Sequence, residues 1–195
     1  MTEEVRAQIL AAAATVFAEK GFSKTGINDI VRASGLSKGG VYWHFASKDE
    51  IVTTIFNQFF EGQLAALAIL IAQKEISATG KLLMLAQQGG NDIESMATQF
   101  PSSLEFYALA AHDPVLRLRL VHYFDLYREA IQQLVEQGIA NGEFAQLDAR
   151  LTAQTIIALF EGVLLVYGVQ VKLVPLAEQI TAAMSLLLEG LKHRG

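Results

Sequence analysis

The chain has 195 residues, 52% of them hydrophobic and 18% charged, so it can bury a substantial core and is not a disordered polyelectrolyte. Its net charge of −5 excludes a generally basic nucleic-acid binder, and with no cysteine it has no disulfide framework, thiolate metal site or cysteine nucleophile. The opening MTEEVRAQIL is charged and has no apolar signal core, which points to the cytoplasm.

Helical spacing dominates from the first residues. Val5, Ile9, Ala12, Ala13, Val16 and Phe17 fall on one helix face, and Gly21 supplies a stop. A short helix follows over roughly 26–33, with Ile27, Ile30 and Val31 as its stripe and Thr25 or Asn28 as its cap. Ser34-Gly35 breaks it. Ser37 caps a second short helix, roughly 38–45. Ser47 and Glu50 form a capping box for a long helix over roughly 48–73. Further helices are expected at roughly 78–90, 102–111, 114–140, 148–171 and 175–192. The start at 114 is marked by Asp113-Pro114, a cap followed by proline in the first turn. No segment alternates with period two, so an all-α chain of about nine helices is expected.

Charge is unevenly spread. Residues 20–48 hold five basic side chains against Asp29 alone, while residues 51–195 hold nine basic and fourteen acidic ones. An acidic protein with one basic window can still hold a phosphate backbone locally. That window contains two short helices separated by Ala33-Ser34-Gly35-Leu36, a helix-turn-helix pattern whose second helix would enter the major groove with Lys38-Gly39-Gly40 leading. Spacing alone leaves an ordinary antiparallel helical hairpin equally open.

Other features are set aside. GFSKTGIN, 21–28, has P-loop glycine spacing but lacks the following Lys-Ser/Thr and a preceding strand. His122, Asp125 and Glu129 share a helix face, which reads as a solvated rim rather than a metal site. No nucleophile motif such as G-x-S-x-G occurs, so no enzyme, cofactor or metal is expected. Leu151–Val171 is apolar enough for a membrane span, yet Gln154, Thr155, Glu161 and Gln170 interrupt it. A helix apolar on most sides in a soluble protein packs on its own core and on a partner chain. The last helix, with Leu176, Ile180, Met184, Leu187, Leu188 and Leu191, supports a homodimer through the last two helices.

Residues 12–51, with the phrases VFAEKGF, IVRASGLSKGGVYWHF and SKDEI, resemble the DNA-binding domain of TetR-family transcriptional regulators. EQGIANGEF, 136–144, is similar to part of the ligand domain of that family's betaine-pathway repressors. The resemblance implies a three-helix head, residues 1–47, and a ligand-binding and dimerisation body, residues 48–195. It implies that Thr25 holds a phosphate, that Lys38, Gly39, Tyr42 and Trp43 face DNA, and that Tyr42, His44 and Lys48 contact backbone phosphates. Gly40 departs from the family's larger residues and cannot read a base edge. Readout then falls to Lys38 and Trp43, helped by Lys24 or Asn28.

The implied function is a repressor, released from a palindromic double-stranded DNA operator by a small-molecule effector. The alternative is a helical small-molecule-binding protein that does not act on DNA. Candidate pocket residues are Phe59, Met84, Met96, Phe100, Phe106, Tyr107, Tyr123, Tyr127, Phe160 and Tyr167. As a set they suit an apolar, aromatic or cationic effector, with Glu105 or Glu161 as its counter-charge.

Overall fold

The computed structural model describes residues 2–97, 103–169 and 174–192. Among these the chain is all-α: α1 (Thr2–Lys20), α2 (Ile27–Ser34), α3 (Lys38–His44), α4 (Lys48–Ala72), α5 (Ala78–Ala97), α6 (Ser103–His112), α7 (Pro114–Ala140), α8 (Ala149–Val169) and α9 (Leu176–Leu191). The only β-type pairing among the described residues is an isolated bridge between Phe144 and Lys192.

The expected caps explain most of the boundaries. The Ser37 hydroxyl accepts from the Gly40 amide at 3.0 Å, and Ser47 accepts from Glu50 at 3.1 Å. The Glu50 carboxylate reaches back to the Ala46 amide, one residue before the cap. Asp113 accepts from the amides of Val115 and Leu116. Two expectations need correction. The cap of α2 is neither Thr25 nor Asn28 but Gly26, whose amide donates to Asp29 at 3.0 Å. And α5 does not stop at Gly90. A Cβ on Gly90 would lie 2.4 Å from the Ala177 Cα, and one on Gly89 would lie 3.3 Å from the Phe160 ring. These glycines let α9 and α8 approach α5 closely, so they serve packing rather than termination.

Two cores result. The first joins Ile9, Ala13 and Phe17 of α1 with Ile30, Val41 and Phe45, and is completed by Ile51, Val52 and Phe56 of α4 and by Ala110, Leu116 and Leu120. The second joins Leu67 of α4 with residues of α5, α7, α8 and α9. Helix α4 thus runs through both, and the head is packed onto the body rather than strung from it. Polar side chains fix the helix ends. Arg6 reaches the His44 carbonyl at 3.3 Å and lies over the Phe45 ring, and Gln8 donates to the Ser34 carbonyl at 2.7 Å. The fully buried Lys81 donates to the Ile71 carbonyl at 2.9 Å and to Gln137 at 3.0 Å, tying the end of α4 to α5 and α7.

The segment 136–144 is architectural. Glu143 accepts from the amides of Ala78 and Thr79, both at 2.9 Å, capping α5. Burial pushes its carboxyl up, but these amides outweigh that and hold it below the usual range. The Phe144 ring sits so close to Gly138 that a Cβ there would meet it at 2.2 Å.

Helices α4 and α8 are each long and apolar enough to cross a membrane. Helix α8 buries Ala153, Ile156, Leu164 and Tyr167 in the second core, and Ile157 is buried beside them on the same face. Its opposite face leaves Leu151, Leu165, Val166 and Val169 exposed. Of the α9 stripe, Leu176, Ile180, Met184 and Leu188 are buried within this chain and Leu187 and Leu191 are half-buried, while Leu186 is the large apolar side chain of α9 left exposed. A stripe shows which face is buried, not which neighbour buries it.

Candidate DNA-reading face and effector cluster

Helix α3 is anchored inward by Val41, fully buried, and by Phe45 just beyond its end. Its other side faces out. Trp43 is 72% exposed and Tyr42 43% exposed, and a large apolar surface left open on a folded monomer marks contact with something else. Lys38 and Gly39 are exposed as well, Lys38 lying 6.0 Å from the Tyr42 ring centre. A Cβ on Gly39 would meet nothing within 4 Å, whereas one on Gly40 would meet Ser37 Oγ at 3.3 Å. So Gly39 keeps an open surface bare, and Gly40 lies against its own cap. His44 is half-buried with its ring edge-on to Trp43 at 4.6 Å. Lys24, before α2, and Asn28, in its first turn, are exposed.

Two of the implied phosphate ligands have other partners here. Thr25 is buried, and its hydroxyl donates to the Gly21 carbonyl at 2.8 Å. Lys48 donates to the carbonyls of Phe22 and Thr25, both at 2.9 Å, and lies 4.0 Å from the Phe22 ring centre. The basic window is also smaller than its sequence count. Lys20 pairs with Asp29 at 2.7 Å, and that hydrogen bond, with the Gly26 amide, holds the Asp29 carboxyl below its usual range. The exposed cations of the window outside that ion pair are then Lys24, Arg32 and Lys38.

In the body, the aromatic candidates divide. Phe60 of α4 stacks on Tyr123 of α7 with centroids 4.0 Å apart; Tyr127 follows at 5.6 Å from Tyr123, and Phe59 lies 5.7 Å from Phe60. Tyr107 of α6 donates its phenol to the Glu161 carboxylate of α8. Burial, and beyond it the nearby Glu161 charge, raises the phenols of Tyr107 and Tyr127; Tyr123 is raised by burial, then by Tyr127 and Glu161. Burial pushes the Glu161 carboxyl up against the opposing pull of the Tyr107 hydrogen bond. The cluster therefore gathers stacked and tilted rings of α4 and α7 near one buried carboxylate of α8 that is held by the Tyr107 phenol of α6. Phe60 belongs to it and is absent from the sequence-based set. Its only sequence signal is its place beside Phe59, and neither residue's spacing shows which one meets α7.

Three other candidates lie apart. Met84 is 47% exposed on α5, whose buried side is formed by Leu82, Leu85 and Ala86, so it lines no interior site. Tyr167 is buried and donates to Glu94 at 2.6 Å, which holds its phenol up at about 12; Glu94 also accepts from the Leu176 amide at 2.8 Å, so this pair clasps α5, α8 and the start of α9. Phe160 packs on Gly89. Phe100 and the side chains of Met96, Glu105 and Phe106 lie outside the described residues. On α7, Asp125 pairs with Arg128 at 2.6 Å, and no metal-capable group of three side chains occurs among the described residues.

Residues 9–55 match the family model described as bacterial regulatory proteins, tetR family, and residues 97–192 match the C-terminal model of BetI-type transcriptional repressors. The chain is 33% identical over 140 residues to the HTH-type transcriptional regulator YfiR of Bacillus subtilis, covering 71% of this chain and 67% of that protein. It is 27% identical over 193 residues to the A-factor receptor protein of Streptomyces griseus, covering 96% of this chain and 63% of that one. Among solved structures, PfmR from Thermus thermophilus superposes with a TM-score of 0.76 at 25% identity, covering 95% and 99% of the two chains. FadR from Bacillus subtilis in complex with stearoyl-CoA superposes at 0.77 with 20% identity, covering 95% and 98%.

Proposed function

The chain belongs to the TetR family of bacterial transcriptional regulators, and from that premise we propose that it represses transcription from a palindromic operator and leaves it when a small organic cation enters the body. The reading rests most on one observation. The outward face of α3, with Lys38, Gly39, Tyr42 and Trp43, sits on a head packed against α4, and α4 also carries Phe60 into the Tyr123–Tyr127–Tyr107–Glu161 cluster. Residues 1–47 act as the DNA-reading head and 48–195 as the effector and dimer body, with α4 common to both cores.

The effector class follows from the cluster's chemistry. Ring faces attract cations, and a carboxylate that burial disfavours gains most from a fixed positive partner. An apolar or aromatic ligand body would have to part the rings, since Phe60 and Tyr123 are stacked 4.0 Å apart. FadR was solved with stearoyl-CoA, an anionic ligand, and Glu161 disfavours that chemistry here. A ligand releases DNA only if it binds the non-DNA conformation more tightly. We place the dimer contact on the exposed face of α8 and on Leu186, and the protein in the cytoplasm.

The experiment selects operator sequences from a random duplex pool with the purified protein, then titrates quaternary ammonium and aromatic amine compounds against the selected complex. Release by cations and not by matched anions supports the reading. Failure to select any sequence would favour the non-DNA carrier.

A further inference from the structure

The Lys48 ammonium closes the turn that ends α1 and leads into α2. It donates to the carbonyls of Phe22 and Thr25 at 2.9 Å each and lies 4.0 Å from the Phe22 ring centre. The turn is itself tightly made. Gly21 takes a left-handed φ of 78°, the Thr25 amide donates to the Phe22 carbonyl at 3.2 Å, and the buried Thr25 hydroxyl donates to the Gly21 carbonyl at 2.8 Å. Charge-assisted hydrogen bonds are stronger than neutral ones.

Lys48 is also the first residue of α4, the helix that runs from the head core, through Ile51, Val52 and Phe56, to Leu67 in the body core. The geometry points to Lys48 as a positioning residue: it pins the head end of α4 to the α1–α2 turn and so sets the angle at which the helix-turn-helix is carried by the body. This differs from the phosphate contact that the family resemblance implies for the same residue. An ammonium has three donors, two of them are aimed at backbone carbonyls, and its third side is taken by a ring face. Freed to a phosphate, it would leave two carbonyls of a half-buried turn without this partner.

The inference rests on the head being a DNA reader, but its test reads the DNA-free protein. Because the chain has no native cysteine, nitroxides can be placed at Ala11→Cys on the exposed side of α1 and Glu136→Cys on the exposed side of α7. Labelled chain is diluted with unlabelled chain, so only the head–body distance within one chain is read. Lys48→Met is expected to broaden or shift that distance distribution, and Lys48→Arg, which can still donate to both carbonyls, is expected to keep it near wild type. Binding to a mixed-sequence DNA duplex across a salt series gives the second readout. Each lysine–phosphate contact adds about 0.9 to the slope of log K against log salt, and for Lys48→Met the slope is expected to stay unchanged. A wild-type distance distribution in Lys48→Met, or a slope reduced by about 0.9 per chain, overturns the inference.

Discussion

Phe60 of α4 stacks on Tyr123 of α7 with ring centroids 4.0 Å apart, and this pair is where the helix that carries the head meets the aromatic cluster of the body. A ligand wedged against Tyr123 must displace or tilt Phe60, and α4 with it. Replacing Phe60 with Leu removes the stacking, worth about 0.5–1.5 kcal/mol, while keeping an apolar side chain. The expected result is a modest loss of thermal stability, near-normal operator binding without effector, and a weakened release by organic cations. Fluorescence anisotropy with and without the cation measures it. Release as complete as in wild type would show that α4 is moved from elsewhere.

Glu161 gives a pH test whose sign is fixed. Its folded-state pKa is raised, chiefly by burial, so between the ordinary glutamate range and that raised value the folded protein binds more proton there than the unfolded chain does. Stability should therefore fall as pH rises from the ordinary glutamate range through the raised value, and level off above it. Glu161→Gln removes the ionisation while keeping an oxygen acceptor for Tyr107. It is expected to melt higher than wild type near pH 7 and to lose that pH dependence. It is also expected to bind cations more weakly. Equal melting temperatures across pH would mean the carboxylate is well solvated.

The fold was largely legible because its signals are local. Ser37, Ser47 and Asp113 cap the helices they precede, and periodicity separates Val41 and Phe45 from Tyr42 and Trp43. The site was less legible because it depends on which helices meet. Nothing within α5 shows that Gly89 and Gly90 face Phe160 and Ala177 rather than ending the helix, or that Met84 turns outward. Lys48 and Thr25 carry residue types suited to phosphate, and only the fold reveals the carbonyls that occupy them.

The exposed face of α8 predicts an oligomer that charge can split. Leu165 and Val169 lie one helical turn apart, 50% and 69% exposed. Burying the half to two-thirds of each that is still exposed against a second copy is worth about 1–2 kcal/mol, and a carboxylate there would be desolvated without a partner. Leu165→Asp with Val169→Asp is expected to give a folded monomer by sedimentation velocity, with operator affinity lost because two half-sites are no longer joined. A double variant that still sediments as wild type places the contact on another surface.

Gly39 separates the needs of the helix from those of the groove. It lies in the first turn of a short helix, its side is open, and its neighbours Lys38 and Trp43 are exposed with it. Alanine at this position fits without contact and should stabilise α3 by about 0.5–1 kcal/mol, since glycine pays the larger entropy on ordering. If the bare backbone serves only the fold, Gly39→Ala raises the melting temperature and leaves DNA binding alone. If the face must approach the base edges closely, the added methyl holds the helix off, and operator affinity falls while stability rises. The second outcome is expected, because the open space beside Gly39 belongs to the same surface as Trp43. Serine at Gly40 offers the control. Its Cβ meets Ser37 Oγ at 3.3 Å, so it should disturb the cap and lower stability without the same separation of the two effects.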